Sequence, residues 1–357
     1  MSIHNNKKLF SLILPQPKQE PIMQIKEYIL KNEDIEVHIC NYGGIIKNIY
    51  TRDCNWKLVD IVLGFDDPEQ YVSPDYLNNY PYLGTTIGRY ANRIHRGEIT
   101  LNGQIFSLEK NDRSNCLHGG SAGFDRQYWD GEQIDDHHLI LRYTSNDGEG
   151  GFPGKLEVTV QYILVNNMLK ITYDATTDRD TFVNITHHPY FNLNPEQETI
   201  AGLELQLYSN RLLETNPELI PTGNILTADT DHTFHFPKRL SDIIEKDGLD
   251  DCYLFPDLGS IQLMAELSSP YTGILLTILS DYPGLQVYTG KFLQVENGKQ
   301  GKHYGPFSGI ALEAQMFPDS PHHPSFPSTL LRPGEKYHHT TIYSLNCFSK
   351  EETDDIW

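Results

Sequence analysis

Short strand-like stretches follow one another from Ile25 almost to the C-terminus, with no segment of helical period between them: IKEYIL, IEVHIC, LEVTVQYIL, LKITYDAT, LELQLYS, GILLTIL, LQVYTG and TTIYSL. Most alternate apolar with polar residues or are rich in Val, Ile, Thr and Tyr, as a half-buried strand requires. Parallel pairing needs a long crossover, usually helical. The chain is therefore expected to be all-β, a large antiparallel β-sandwich. Turn punctuation falls at residues 102–104, 146–154, 165–167 and 221–224. Strand signals never pause for a linker, so residues 21–349 are expected to form a single domain. Residues 1–20 read as a flexible extension and 350–357 as an acidic tail.

Lys and Arg number 28 against 48 Asp and Glu, a formal charge of −20 at pH 7. Such a surface repels a phosphate backbone and an anionic bilayer alike, so neither nucleic acid nor membrane is expected as a partner. Cys40, Cys54, Cys116, Cys252 and Cys347 are scattered, with no CxxC pair or zinc spacing, which fits a reducing compartment. The apolar run at residues 9–14 is too short for a secretory leader, and no run approaches a membrane span. A cytoplasmic protein is expected. Its sequence holds no P-loop, no GxGxxG after a strand and no HExxH motif.

Four segments carry candidate chemistry. In NITHHPYFNL, residues 184–193, neighbouring strand residues point to opposite faces, so only one of His187 and His188 faces a given pocket. Pro189 cannot donate to a ladder, which places the run at an edge or bulge. Taken alone, a histidine among aromatics is more often structural than catalytic. GRYANRIHRG, residues 88–97, gathers Arg89, Asn92, Arg93 and Arg96, a donor set suited to hydroxyls or anions, or equally a solvated loop. In NCLHGG, His118 precedes two glycines that let backbone approach a ligand, though a plain turn has the same sequence. GIALEAQMFPD sets one carboxylate, Glu313, in an apolar run, where it needs a partner or a useful titration. Asp250 and Gln286 lie near aromatics, as sugar-holding groups do. Adjacent histidines at 322–323 and 338–339 face apart on a strand and make a poor metal site.

In this order, NYGGIIKNIY, GRYANRI, LHGG, HPYFNL, GLQVYTG, LEAQ and LLRPGEKYHHTT resemble the aldose 1-epimerase (galactose mutarotase) family, from about Ile25 to Leu345. The resemblance implies the mutarotase-like supersandwich fold, an isomerase interconverting the anomers of a free aldohexose, and no cofactor or metal. By the family's H-x-Y-F-N-L and L-E-x-Q patterns it implies His188 as general acid and Glu313 as general base. Substrate contacts then fall on Asn92, Arg93, His118, Tyr190, Asp250 and Gln286. Glu313 is expected to start ionised and His188 protonated. A small-molecule sugar is the expected partner, and a monomer or weak homodimer the expected assembly. His187, Pro189, Asp251, Cys252, Lys291 and Met316 depart from the family pattern beside the site. Two alternatives stay open: a hexose-6-phosphate 1-epimerase using Arg89, Arg93 and Arg96, and a non-catalytic carbohydrate-binding protein.

Overall fold

A computed structural model describes residues 24–348, so the extension at 1–20 and the tail at 350–357 lie outside the described residues. Each of the eight strand-like runs becomes a strand. Three antiparallel sheets hold most of them. The largest has nine strands, in the order Asp130–Asp135, His138–Ser145, Leu156–Val165, Met168–Thr177, Tyr337–Cys347, Ile274–Ser280, Gln262–Ser268, Glu204–Leu207 and Lys238–Arg239. A six-stranded sheet runs Tyr190–Phe191, Ile310–Gln315, Gly284–Tyr288, Asp250–Leu254, Arg211–Thr215 and Pro221–Thr227. Residues Glu27–Lys31, Glu36–Cys40, Ile46–Arg52 and Leu58–Asp60 form the four-stranded third. The last strand, Tyr337–Cys347, sits mid-sheet between Met168–Thr177 and Ile274–Ser280, so the nine-stranded sheet needs the chain's C-terminal end to close.

Alternation fixes the faces. Leu156, Val158, Val160, Tyr162 and Leu164 are buried while the residues between them are not, and Ile274–Ser280 repeats the pattern. Their inner faces meet Leu285, Val287, Ile310, Leu312 and Ala314 of the six-stranded sheet in one apolar core, each large aliphatic contributing about 1.5–3 kcal/mol by its burial. Ile310–Gln315 is buried on both faces, all six residues, because Ala311, Glu313 and Gln315 turn away from that core. Among the described residues helix is confined to short pieces such as Pro74–Asn78 and Ser241–Ile244. No helix among the described residues is long and apolar enough to cross a membrane.

Asn102 and Gly103 take positive φ, +50° and +77°, between the paired strands Glu98–Leu101 and Gln104–Ser107, the backbone an Asn-Gly hairpin demands. The turn expected at 221–224 is corrected. Those residues belong to the strand Pro221–Thr227, and Gly223 with φ +92° lies where the register slips, Leu213 facing Ile225 but Thr215 facing Pro221. Glycine there serves a bulge. The chain reverses earlier, where Asn216 accepts the amides of Glu218 and Ile220 on its own Oδ1.

Candidate active site

Two short ladders and a proline between them place His188. Thr186–His187 pairs with Thr86–Ile87, and Tyr190–Phe191 pairs with Ile310–Ala311. In the gap, His188 N–H donates to Thr85 O at 2.9 Å and its carbonyl accepts from Gly84 N–H at 3.0 Å. The two imidazoles part here. His187 is wholly buried, with Nε2 2.7 Å from Tyr162 Oη and 3.0 Å from Thr86 Oγ1, and Nδ1 2.9 Å from Tyr173 Oη. It is a polar tie through the core. His188 turns the other way, its ring 4.9 Å from that of Tyr190 and 5.6 Å from that of His118.

Glu313 faces His188. Its strand sets it opposite Gln286, and Gln286 Nε2 donates to Asp250 Oδ1 at 2.7 Å from the next strand over. His188 Nε2 lies 3.5 Å from Glu313 Oε1, while His188 Nδ1 and Glu313 Oε2 are buried without a protein partner. From the far side, Asn92 N–H donates to His118 Nδ1 at 3.1 Å, and His118 N–H donates to Asn92 O at 3.0 Å. Arg93 Nε is held by Asp112 Oδ2 at 2.8 Å. A Cβ on Gly119 would fall 2.2 Å from Gly88 O, so this close crossing of loops admits only glycine after His118. All eight sequence-predicted residues thus converge on one site.

Burial governs its electrostatics. It pushes His188 down to about 4. His118 lies well below the usual histidine range, through burial first and then the charges of His188 and Arg93. Glu313 is held well above the usual carboxylate range by burial and by Asp250, with Arg93 opposing. Asp250 is raised by burial, against Arg93 and the Gln286 hydrogen bond. The expected starting state, Glu313 ionised and His188 protonated, is corrected for the free protein: both shifts favour the neutral pair, with the proton on the carboxyl. The depth of burial is the cause.

Ligand atoms of His118, His188 and Glu313 lie within 4.8 Å of one another, a spacing that suits a metal ion. The donor set does not. His118 Nδ1 accepts a backbone N–H, so the neutral ring carries its proton on Nε2 and has no bare nitrogen left to ligate. The arginine cluster also dissolves. Arg89 is buried, its guanidinium donating to the carbonyls of Pro153, Gly154, Ser145 and Asn146 and to the Ser145 hydroxyl. Arg96 is exposed, and Arg93 alone reaches the site. Of the departures, Cys252 is buried opposite Gln286 and Lys291 pairs with Asp247. Sequence reasoning missed Tyr82, whose ring stands 4.7 Å from His118 and 6.0 Å from His188, and Asp112. Neither carries a local signal, because both approach through loops.

A family model described as aldose 1-epimerase matches residues 26–344. The chain is 35% identical over 328 residues to the galactose mutarotase of Mus musculus, covering 90% of this chain and 94% of that protein. It is 33% identical over 326 residues to the aldose 1-epimerase of Escherichia coli (strain K12), covering 88% and 93%. The solved structure of an aldose epimerase homologue from C. elegans aligns with a TM-score of 0.85 at 27% identity, covering 91% of this chain and 100% of that one.

Proposed function

This chain belongs to the aldose 1-epimerase family, and from that premise we propose that it interconverts the α and β anomers of a free aldohexose of the glucose or galactose type, with Glu313 and His188 exchanging the two protons involved. What carries the reading is the 3.5 Å approach of His188 Nε2 to Glu313 Oε1, with the second heteroatom of each buried and unpartnered. Such atoms are costly unless a ligand completes them.

Anomer exchange removes the proton from O1 and delivers one to O5 while the C1–O5 bond breaks, leaving an open-chain aldehyde. Rotation about C1–C2 then presents the other face of C1, and closure runs the same transfers backwards. Glu313 as carboxylate takes the O1 proton and His188 as imidazolium supplies the O5 proton. In the free protein burial favours the neutral pair. Sugar hydroxyls donating to the carboxylate favour its charged form and shift the proton to His188. Both forms hold one proton between the two groups, so binding redistributes it without exchange with solvent. Arg93, Asn92, Tyr190, the His118 Nε2–H and the Asp250–Gln286 pair supply hydroxyl contacts and orientation. The phosphorylated-sugar alternative loses its support, since Arg89 is consumed by carbonyls and Arg96 is exposed to solvent.

Polarimetry on freshly dissolved α-D-glucose and α-D-galactose tests the reading. The parent is expected to hasten the decay of rotation, and Glu313→Gln to lower kcat by ~10²–10⁴-fold. No acceleration by the parent with either sugar, or an unchanged rate in the variant, overturns it.

A further inference from the structure

Behind Tyr190 lies a second cleft, of about 840 Å³, within the size range of small-molecule sites. None of the eight residues of the candidate active site lines it. Residues 190–194 connect the two: Tyr190 packs beside His188, while Asn192 and Asn194 line the second cleft. It is a built site. Lys299, 8% exposed, has Nζ 2.6 Å from Asp60 Oδ2 and 2.8 Å from Val62 O, which leaves its third N–H uncommitted. Asn194, 7% exposed, has a buried Oδ1 with no partner. At the rim, Tyr271 is 60% exposed.

Charge selects the ligand class. Lys57 pairs with Glu196 and Lys299 with Asp60, the latter keeping one N–H for a ligand, while Lys302 donates to Pro195 O. Lining carboxylates at Asp53, Asp60, Asp66, Glu196 and Glu198 outnumber them. An anion meets net repulsion there, whereas amides, carboxylates and an exposed aromatic face suit hydroxyls and the C–H face of a sugar ring. We infer that this cleft is a second binding site for a neutral saccharide, separate from the site of anomer exchange.

Equilibrium dialysis with radiolabelled lactose measures the number of sites per chain, and polarimetry with α-D-galactose measures turnover in parallel. The expected result is that Tyr271→Ala and Asn194→Leu each remove one lactose equivalent per chain, or weaken it by at least about tenfold, while turnover and thermal midpoint stay near the parent's. Tyr271→Ala alters an exposed side chain, so it keeps the test valid if Asn194→Leu folds poorly. An unchanged lactose stoichiometry in Tyr271→Ala overturns the inference. So does loss in these variants of bound glucose 6-phosphate or putrescine instead of lactose, which reassigns the cleft to an anion or a cation. Failure of the parent to hasten mutarotation bears on the active-site reading alone.

Discussion

Replacing each of the two adjacent histidines by asparagine separates stability from chemistry. His187 ties Tyr162, Tyr173 and Thr86 together through the core at 2.7, 2.9 and 3.0 Å. Asparagine is too short to satisfy all three; Tyr162 and Thr86 keep Gly44 O as an acceptor, so the main loss is the Tyr173 hydroxyl's partner, at about 1–3 kcal/mol, with a further term for the space the ring vacates. His187→Asn should therefore lower unfolding free energy by roughly 2–5 kcal/mol and leave kcat of the folded protein within about threefold of the parent, since the ring touches no residue of the site. His188→Asn should do the reverse. Its Nδ1 has no partner to lose, so stability should move by about 1 kcal/mol or less, while kcat falls ~10²–10⁴-fold with the proton donor. Urea unfolding followed by fluorescence gives the first quantity, and polarimetry well below the melting temperature the second. Equal loss of kcat in the two variants, both folded, refutes the division of roles. A His188 variant less stable than the His187 variant refutes the reading of which imidazole holds the fold.

Asp125 is fully buried with neither oxygen hydrogen-bonded, and burial lifts its carboxyl to about 7 against the opposing charge of Arg126, whose Nε stands 3.7 Å from Oδ2. Burying the neutral acid carries no charge penalty below the unfolded value near 4, and the penalty builds as pH rises from there to about 7 and persists above it, so Asp125→Asn should be more stable than the parent by a margin that grows over that interval and levels off at about 4 kcal/mol; urea titrations at several pH values check it. Arg89→Met removes the guanidinium donors from the carbonyls of Pro153, Gly154 and Ser145 and should cost roughly 3–5 kcal/mol of stability with KM unchanged; a raised KM for glucose 6-phosphate alone would revive the phosphate reading. Because burial pushes His188 down to about 4 and Glu313 well above its usual range, the pair keeps one proton between those two shifted limits, and kcat/KM should show no inflection at the ordinary imidazole value. A midpoint near 6.5 in the pH–rate profile would contradict that.

Strands were readable because alternation reports one thing, the side of the sheet a residue faces. The same rule separates His187 from His188 in the sequence itself, and Pro189 marks the break that re-aims the second. What alternation cannot report is how much lies above a face. Ile310–Gln315 looks like a core strand because both of its faces are covered, and Glu313 stands out only as the wrong residue type. For the same reason the resting proton was misplaced: the pair's charge state depends on burial depth, which is set by loops arriving from residues 82, 92 and 118. The arginine cluster failed through local geometry. Residues 88–97 hold a mixture of buried, half-buried and exposed positions, so three arginines near in sequence share no surface. Gly223 misled because a positive-φ glycine serves a bulge as well as a turn.

Ile310–Gln315 carries Leu312 into the apolar core and Glu313 to the proposed proton-exchanging pair on consecutive residues of one backbone. Such a strand cannot come loose on one face and stay fixed on the other. A sugar held on the Glu313 side therefore also clamps the two sheets on the Leu312 side, and at one hundred times its dissociation constant it adds about 2.7 kcal/mol to the free energy of unfolding. The protein's tolerance of heat should rise and fall with the concentration of the molecule it turns over.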